Sequence, residues 1–467
     1  MDEKLLLDDL AEIIAIPSVY STPTKDAPYG VECRRALEWF VDKARSYGLK
    51  AENVDNACAY AEIGEGDECV GVLAHLDVVP AGNGWATDPF KMVYDGGKLY
   101  GRGVGDDKGS VVVCLHALKD IAESGAKLKR RVRLIVGADE ERGSSCIRHY
   151  VEKGCEIPAM SFVPDSEFPI INSEKGISHI KFVFDDKRLA QNISSIKAAE
   201  CLNAVPDRAE VKLVKDCELE RAIKKVCGGT VTADVFKSSP AAVNIVSGGS
   251  RPEDFEIQNG AVVEIAANGT AEHASTPEKG DSALWKLLGF LSAFDCASDT
   301  LKNVYDTLCT PLSAQKLGIY VDDPKTGDLT MCMSMAEMEK GKLCLYIDFR
   351  LPLGVVPKTV ADAICAKLNC RAEILDYHPN LYIDEDSPLI QALLSVYRDI
   401  TGDMTPPLKT GGGTYARELP NAVAFGCTPV DMDINMHRAD ENFPVEQLFL
   451  NYRIYRAAML KLTEESL

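Results

Sequence analysis

The stretch Cys69–Gly82, CVGVLAHLDVVPAG, is the key to the fold. Cys69–Ala74 is a short apolar run of the kind that forms a buried strand, and it stops at His75 with Asp77 two residues on. Two more such runs follow. Val132–Val136 leads into GADEERGSS, which sets Glu140 and Glu141 just past its end, and Met160–Val163 leads into PDSEFP, with Asp165 in the same place. Between the first two runs, Lys108–Ile121 reads as a helix opened by GRGVGDDKGS, with Asp106 at the turn before it. Leu5–Ile14 and Ala36–Tyr47 space their apolar residues at helical intervals. Strands alternating with helices predict an α/β sheet with helices on its faces.

The texture changes after residue 176. Ser178–Asp185, Val262–Ala267 and Leu343–Phe349 have the alternating character of strands with one buried face, and Ala283–Ala293 and Thr359–Leu368 read as helices. Near Ile383 the first pattern resumes with a helix at Ser387–Thr401, a strand at Ala422–Phe425 and a helix at Val445–Leu462. The expected organisation is one α/β domain, residues 1–176 and 383–467, interrupted by an inserted α+β domain, residues 177–382, with room for two halves of similar length.

Composition sets bounds on partners. The chain has 467 residues, 46% hydrophobic and 26% charged, which is ordinary globular usage and excludes disordered and collagen-like classes. Its formal charge of −20 disfavours nucleic acid and anionic membrane surfaces as partners. The first residues, MDEKLLLDDLAEIIAI, lack the basic and apolar regions of a signal peptide, and no apolar run approaches a membrane span. The 16 cysteines are scattered through apparent helix and strand interiors without a CxxC, as in a reduced, cytoplasmic protein.

The chemistry gathers at the strand ends. In open α/β sheets the site lies beyond the carboxyl ends of the strands, which is where His75, Glu140, Glu141 and Asp165 fall. Carboxylates collected there would repel one another unless cations lay between them, and a His/Asp/Glu set without Cys suits two divalent ions of the zinc, manganese or cobalt kind. A carboxylate two residues past a ligating histidine, such as Asp77, can bond the other ring nitrogen. His437 returns to the first domain in the loop before the last helix. His116, His149, His179 and His378 fit structural roles in helix, strand and loop.

Taken together, HLDVVPAGNGW, LYGRGVGDDKG, GADEERGSS, VPDSEFP, AEHAST and the late MHRADE loop resemble the co-catalytic zinc peptidases of the aminoacylase and carboxypeptidase G superfamily. Within it the chain looks like the peptidase V and carnosinase-like dipeptidases, in order over essentially its whole length. The resemblance implies a two-metal, aminopeptidase-like catalytic domain with a mixed sheet, interrupted by a lid of two similar halves. It implies that Asp106 bridges two ions, with His75 and Asp165 completing one and Glu141 and His437 the other. Glu140 would be the general base and Asp77 would orient His75. The Asp106–Asp107 peptide bond would be cis. In the lid, His273 would reach the substrate carbonyl oxygen, and Asn203 and Arg350 would grip substrate. Without the resemblance, Asn203 reads as a turn amide and Arg350 as part of a salt bridge. Gly411–Gly413 and Thr414 match a loop that lines the site with backbone groups. Aspartate at 165, where deacetylases and carboxypeptidases more often carry glutamate, points to the dipeptidase branch; Asp107 departs from the methionine of many relatives.

The implied reaction is hydrolysis of unblocked dipeptides by a monomer, through a water shared by the ions and a glutamate base. An N-acyl amino acid amidohydrolase would share all five ligands and the base. A metal and peptide binding protein without turnover would have no need of Glu140.

Overall fold

Cys69–His75 is buried along its whole length, and its neighbours explain why. It runs parallel to Arg131–Gly137 on one side and to Met160–Val163 on the other, so both edges are paired. A computed structural model of the chain describes residues 1–199, 201–226, 254–259 and 263–464. The chain divides into two compact units, Met1–Glu174 with Leu381–Leu467, and Lys175–Asn380.

In the first unit the main sheet runs Lys50–Val54, Cys58–Ile63, Arg131–Gly137, Cys69–His75, Met160–Val163, Ala422–Ala424, Ile171–Glu174, Leu381–Tyr382, with Leu408–Thr410 also paired to Ile171–Glu174. Ala422–Ala424 is parallel to Met160–Val163, so four consecutive strands point the same way and end at one crest. Alternation along these strands divides them between two cores. Val70, Val72, Ala74, Leu134 and Val136 join the core that includes the helices Glu3–Ile14, Val31–Ser46, Lys108–Glu123, Pro388–Thr401 and Val445–Leu462. Leu73 and Ile135 join the other, with Ile147 and Tyr150 of the helix Ser145–Glu152. The sheet is mixed and carries helices on both faces. The helix expected at Ala36–Tyr47 begins earlier, at Val31, because its first turn carries Glu32, Arg34 and Arg35, which apolar spacing does not register.

The second unit is an α+β insertion. Its antiparallel sheet runs Phe255–Asn259, Val263–Asn268, Arg208–Leu213, Ile193–Ala198, Thr330–Glu339, Lys342–Leu351, Gly176–Phe184, Arg371–Ile374. Gly176–Phe184 alternates buried and half-buried residues at every step, as a strand covered on one face does. Helices Ala283–Ser292, Asp299–Leu308 and Pro357–Leu368 share its core. The first four strands and the last four form two blocks, joined where Lys197 and Ala198 pair with Glu337 and Ala336. The insertion's halves are thus fused in one sheet. Among the described residues, no helix is long and apolar enough to cross a membrane.

Candidate metal centre

The crest of the parallel strands brings together residues far apart in sequence. His75 is the last residue of its strand, Glu140 and Glu141 follow the strand Arg131–Gly137, and Asp165 follows Met160–Val163. Asp106 immediately precedes Asp107, the N-cap of the helix Lys108–Glu123, and the Asp106–Asp107 peptide bond is cis. His437 comes from the loop between Ala422–Ala424 and the last helix, where its backbone is left-handed (φ 59°).

Asp106 turns one oxygen toward each histidine. Its Oδ1 lies 3.0 Å from His75 Nε2 and its Oδ2 2.8 Å from His437 Nε2. Asp165 Oδ2 stands 3.5 Å from His75 Nε2, and Glu141 3.2 Å from His437 Nε2. Two sets of donor atoms, His75/Glu140/Asp165 and His75/Asp106/Glu141, each lie within 4.8 Å of one another.

The charges crowd. Burial and the carboxylates of Asp165 and Glu141 hold Glu140 well above the usual carboxylate range. Burial and Asp106 push Glu141 up to about 7, and the same causes raise Asp165. Burial opposes the cationic form of both histidines, yet Asp106 and Glu141 outweigh it and raise His437 to about 11. At His75, Asp106, Asp165 and Asp77 likewise outweigh burial. Asp106 itself is held far below the usual range, because the two histidines outweigh its burial. Five carboxylates facing two imidazoles form a pocket that wants positive charge. The donors are oxygen and nitrogen, and their mutual distances are close to the roughly 3.3 Å edges of a tetrahedral site with ~2.0 Å bonds. The residues fit divalent ions.

Several expected roles take a different physical form. Asp77 does not orient His75 mainly through its carboxylate. His75 Nδ1 lies 2.9 Å from the Asp77 main-chain carbonyl, while the carboxylate is 3.6 Å away. That carboxylate instead accepts the N–H groups of Glu140 and Glu141, each at 3.1 Å. Asp107 accepts the His75 N–H at 3.1 Å. The Thr414 hydroxyl donates to buried Glu174 at 2.8 Å and accepts the Ala416 N–H. Arg417 donates to the same carboxylate at 2.9 and 3.0 Å. Gly413 allows this packing, since a Cβ there would lie 2.0 Å from the Arg417 guanidinium.

In the second unit, Asn203 and His273 lie on adjoining segments. Ala274 N–H donates to Asn203 O at 2.9 Å, and Ala204 bridges to His273. His273 is exposed, and its Nδ1 accepts the Ser275 N–H at 3.2 Å, which places the proton of the neutral ring on Nε2. Arg350 is buried, with Nε and Nη2 each 2.7 Å from an oxygen of Asp348, the salt bridge that its position in a strand suggests. The other histidines are held elsewhere: His116 on Asp9 at 2.8 Å, His149 on Asp55 at 3.0 Å, and His179 between Asp376 at 2.8 Å and Asp348 at 3.2 Å. The main chain of His378 pairs with Ile177.

Comparison with known proteins assigns the chain to a family. The sequence pattern of peptidase family M20/M25/M40 matches residues 71–461. A Staphylococcus aureus (strain bovine RF122 / ET3-1) protein provisionally named a dipeptidase is 30% identical over 479 aligned residues, covering 99% of this chain and 98% of its own. Among solved structures, human carnosine dipeptidase 1 superposes with a TM-score of 0.59 at 15% identity, over 99% of this chain and 96% of that one. A Bacillus subtilis protein described as a dinuclear metal-binding peptidase of the M20 family superposes with a TM-score of 0.53 at 12% identity, over 99% and 98%.

Proposed function

Because this chain belongs to peptidase family M20/M25/M40 and is a metallopeptidase, we propose that it is a dipeptidase that cleaves unblocked dipeptides. In this reading Asp106 would be held in common by two divalent ions, zinc or alternatively manganese or cobalt. His75 and Asp165 would complete one set of ligands, and Glu141 and His437 the other. When bound, such ions supply a water of lowered pKa and a Lewis acid for the scissile carbonyl.

The chain's own residues do the rest. Glu140 takes the proton of the attacking water and passes it to the leaving amine. Asp77 holds the backbone of Glu140 and Glu141. His273 donates from Nε2 to the carbonyl oxygen as negative charge builds there. Arg350, anchored by Asp348, takes the substrate's terminal carboxylate, with Asn203 and the backbone of Gly413 and Thr414 shaping the site around it. The fused eight-stranded sheet supports a monomer as the active species, and the scattered, mostly buried cysteines support a cytoplasmic location. Nucleic acid and membranes have no part in this reading.

One observation carries the proposal: Glu140 and Glu141 are adjacent, tethered by a single carboxylate, and both gather with His75, Glu140 beside Asp165 and Glu141 beside Asp106. One acid can then serve as ligand and its neighbour as base. The test is an assay of the metal-replete chain against free and N-acetylated dipeptides and tripeptides. Cleavage of the free dipeptides is expected. Cleavage of the acetylated compounds alone would make the chain an N-acyl amino acid amidohydrolase, and ion binding without any cleavage would make it a binding protein.

A further inference from the structure

Glu441 is 0% exposed and lies four residues past His437. Its carboxylate gathers the main-chain N–H groups of the loop that carries Asp106. Gly103 N–H lies 3.1 and 3.2 Å from its two oxygens, while Gly105 N–H at 3.0 Å and Asp106 N–H at 3.3 Å meet Oε1. Arg102, 1% exposed, donates from Nη1 to Oε2 at 2.7 Å. The main chain joins in, because Gly101 N–H donates to the Glu441 carbonyl at 3.1 Å.

This loop is buried from Gly101 to Asp107 and belongs to no strand or helix, so its N–H groups need partners that secondary structure does not provide. Converging amides of this kind form a nest for an anion, and here the chain supplies the anion itself. Gly105 lets the loop pack closely beside it: a Cβ there would come within 2.6 Å of Ile434 and 3.1 Å of Phe443. Glu441 therefore grips the backbone of Asp106 while the Asp106 carboxylate faces His75 and His437.

We propose that Glu441 is a positioning residue for the ion pair. It fixes the Asp106 loop so that each carboxylate oxygen stays turned toward its own histidine, His75 or His437, where each would be held ready for an ion, and through the short segment 437–441 it ties that placement to His437. The inference rests on the reading of Asp106 as the shared ligand. A purely structural role for Glu441 would give stability alone, so the test compares ion affinity against a matched loss of stability. Glu62 is a suitable reference, since it is a buried carboxylate held by Arg131 and Arg133 on the strand Cys58–Ile63 and is no part of the ion cluster.

The measurement is a calorimetric titration of the metal-free chain with zinc or manganese, well below its unfolding temperature. Glu441→Gln should weaken ion binding about ten- to a hundredfold, as loss of a group that orients a ligand does. Glu62→Gln should leave it near the wild-type value at a comparable fall in melting temperature. Equal losses in the two variants, or none in Glu441→Gln, would overturn the inference. If Glu441→Gln fails to fold, Glu441→Asp decides: it keeps the charge beside Arg102 but withdraws the oxygens from Gly105 and Asp106, so wild-type affinity there would overturn the inference too. Failure of the wild-type chain to bind two ions would instead remove the shared-ligand reading.

Discussion

Replacing Asp77 by Asn isolates the tether beneath the two adjacent glutamates. The Asp77 carboxylate, 4% exposed, accepts one N–H on each oxygen, at 3.1 Å from Glu140 and 3.1 Å from Glu141. The asparagine amide keeps the shape but has one oxygen, and it turns an NH2 group toward the second N–H. A hydrogen bond onto a buried charge contributes about 1.5–3 kcal/mol and a neutral one about 1 kcal/mol. The exchange removes one such bond and weakens the other, a loss of about 2–4 kcal/mol borne by the turn that carries both glutamates. At 1.4 kcal/mol per decade this is roughly a 30- to 1000-fold loss, divided between ion affinity and turnover. Both quantities should fall, because one carboxylate holds the proposed base and a proposed ligand. The assay is kcat and KM at saturating metal, beside an ion titration of the metal-free chain and a thermal melt. A folded Asp77→Asn chain with wild-type kcat and wild-type ion affinity would refute the reasoning.

Other perturbations separate the remaining roles. Glu140→Gln should keep ion binding and lower kcat by about a hundredfold or more, whereas Glu141→Gln should weaken ion binding first; a reversed pattern in metal analysis and kinetics would exchange the roles. A chelator should abolish activity reversibly, and repletion should restore it near two ions per chain by elemental analysis. His273→Ala should lower kcat about a hundred- to a thousandfold with both ions retained, and an unchanged kcat would make His273 a lid structural residue. His179 should make the inserted unit's stability depend on pH. Burial opposes its cation, but Asp348 (itself bridged to Arg350) and Asp376 outweigh this and raise the ring to about 9. A raised folded-state pKa gives stability that is full below pH ~6.5 and lost as pH rises through about 9, worth up to ~3 kcal/mol. Urea unfolding of wild type and His179→Gln across that range checks it, and parallel profiles would refute it.

The residues most legible in sequence were those standing where a pattern breaks. His75, Glu141 and Asp165 each follow an apolar run, and parallel pairing then forces their strand ends to one crest. His437 had no local signal, because its partner Asp106 is 331 residues away; its return to the first domain and the resemblance to known peptidases pointed to it. Side-chain direction was less accessible. Nothing in HLD says that the aspartate main chain, not its carboxylate, meets the histidine ring at closest range. Gly411–Thr414 was expected to line the site with backbone groups, and nothing in that expectation told that the Thr414 hydroxyl serves Glu174, an acid at a strand end that no motif marks. The Arg350 pairing could have been anticipated: Asp348 precedes it by two residues, and that spacing puts both on one face of a strand. Glu441 was visible within MHRADE, but an acid in a loop reads as a solvated charge until the buried amides of Gly103 and Gly105 are seen against it.

The strand Ala422–Ala424 lies inside the main sheet, between Met160–Val163 and Ile171–Glu174, although the whole insertion separates it from them in sequence. At about 5–20 residues per second, a ribosome needs ~13–50 s to travel from one side of this gap in the sheet to the strand that fills it. Throughout that interval the growing chain has two inner strand edges without their partner, and the loop of Asp106 has neither Glu441 beneath it nor His437 beside it. The full set of proposed ligands therefore exists only once His437 has been made. A product of interrupted synthesis would carry open, adhesive edges and lack His437, which makes it a substrate for chaperones and proteases before it could ever be an enzyme.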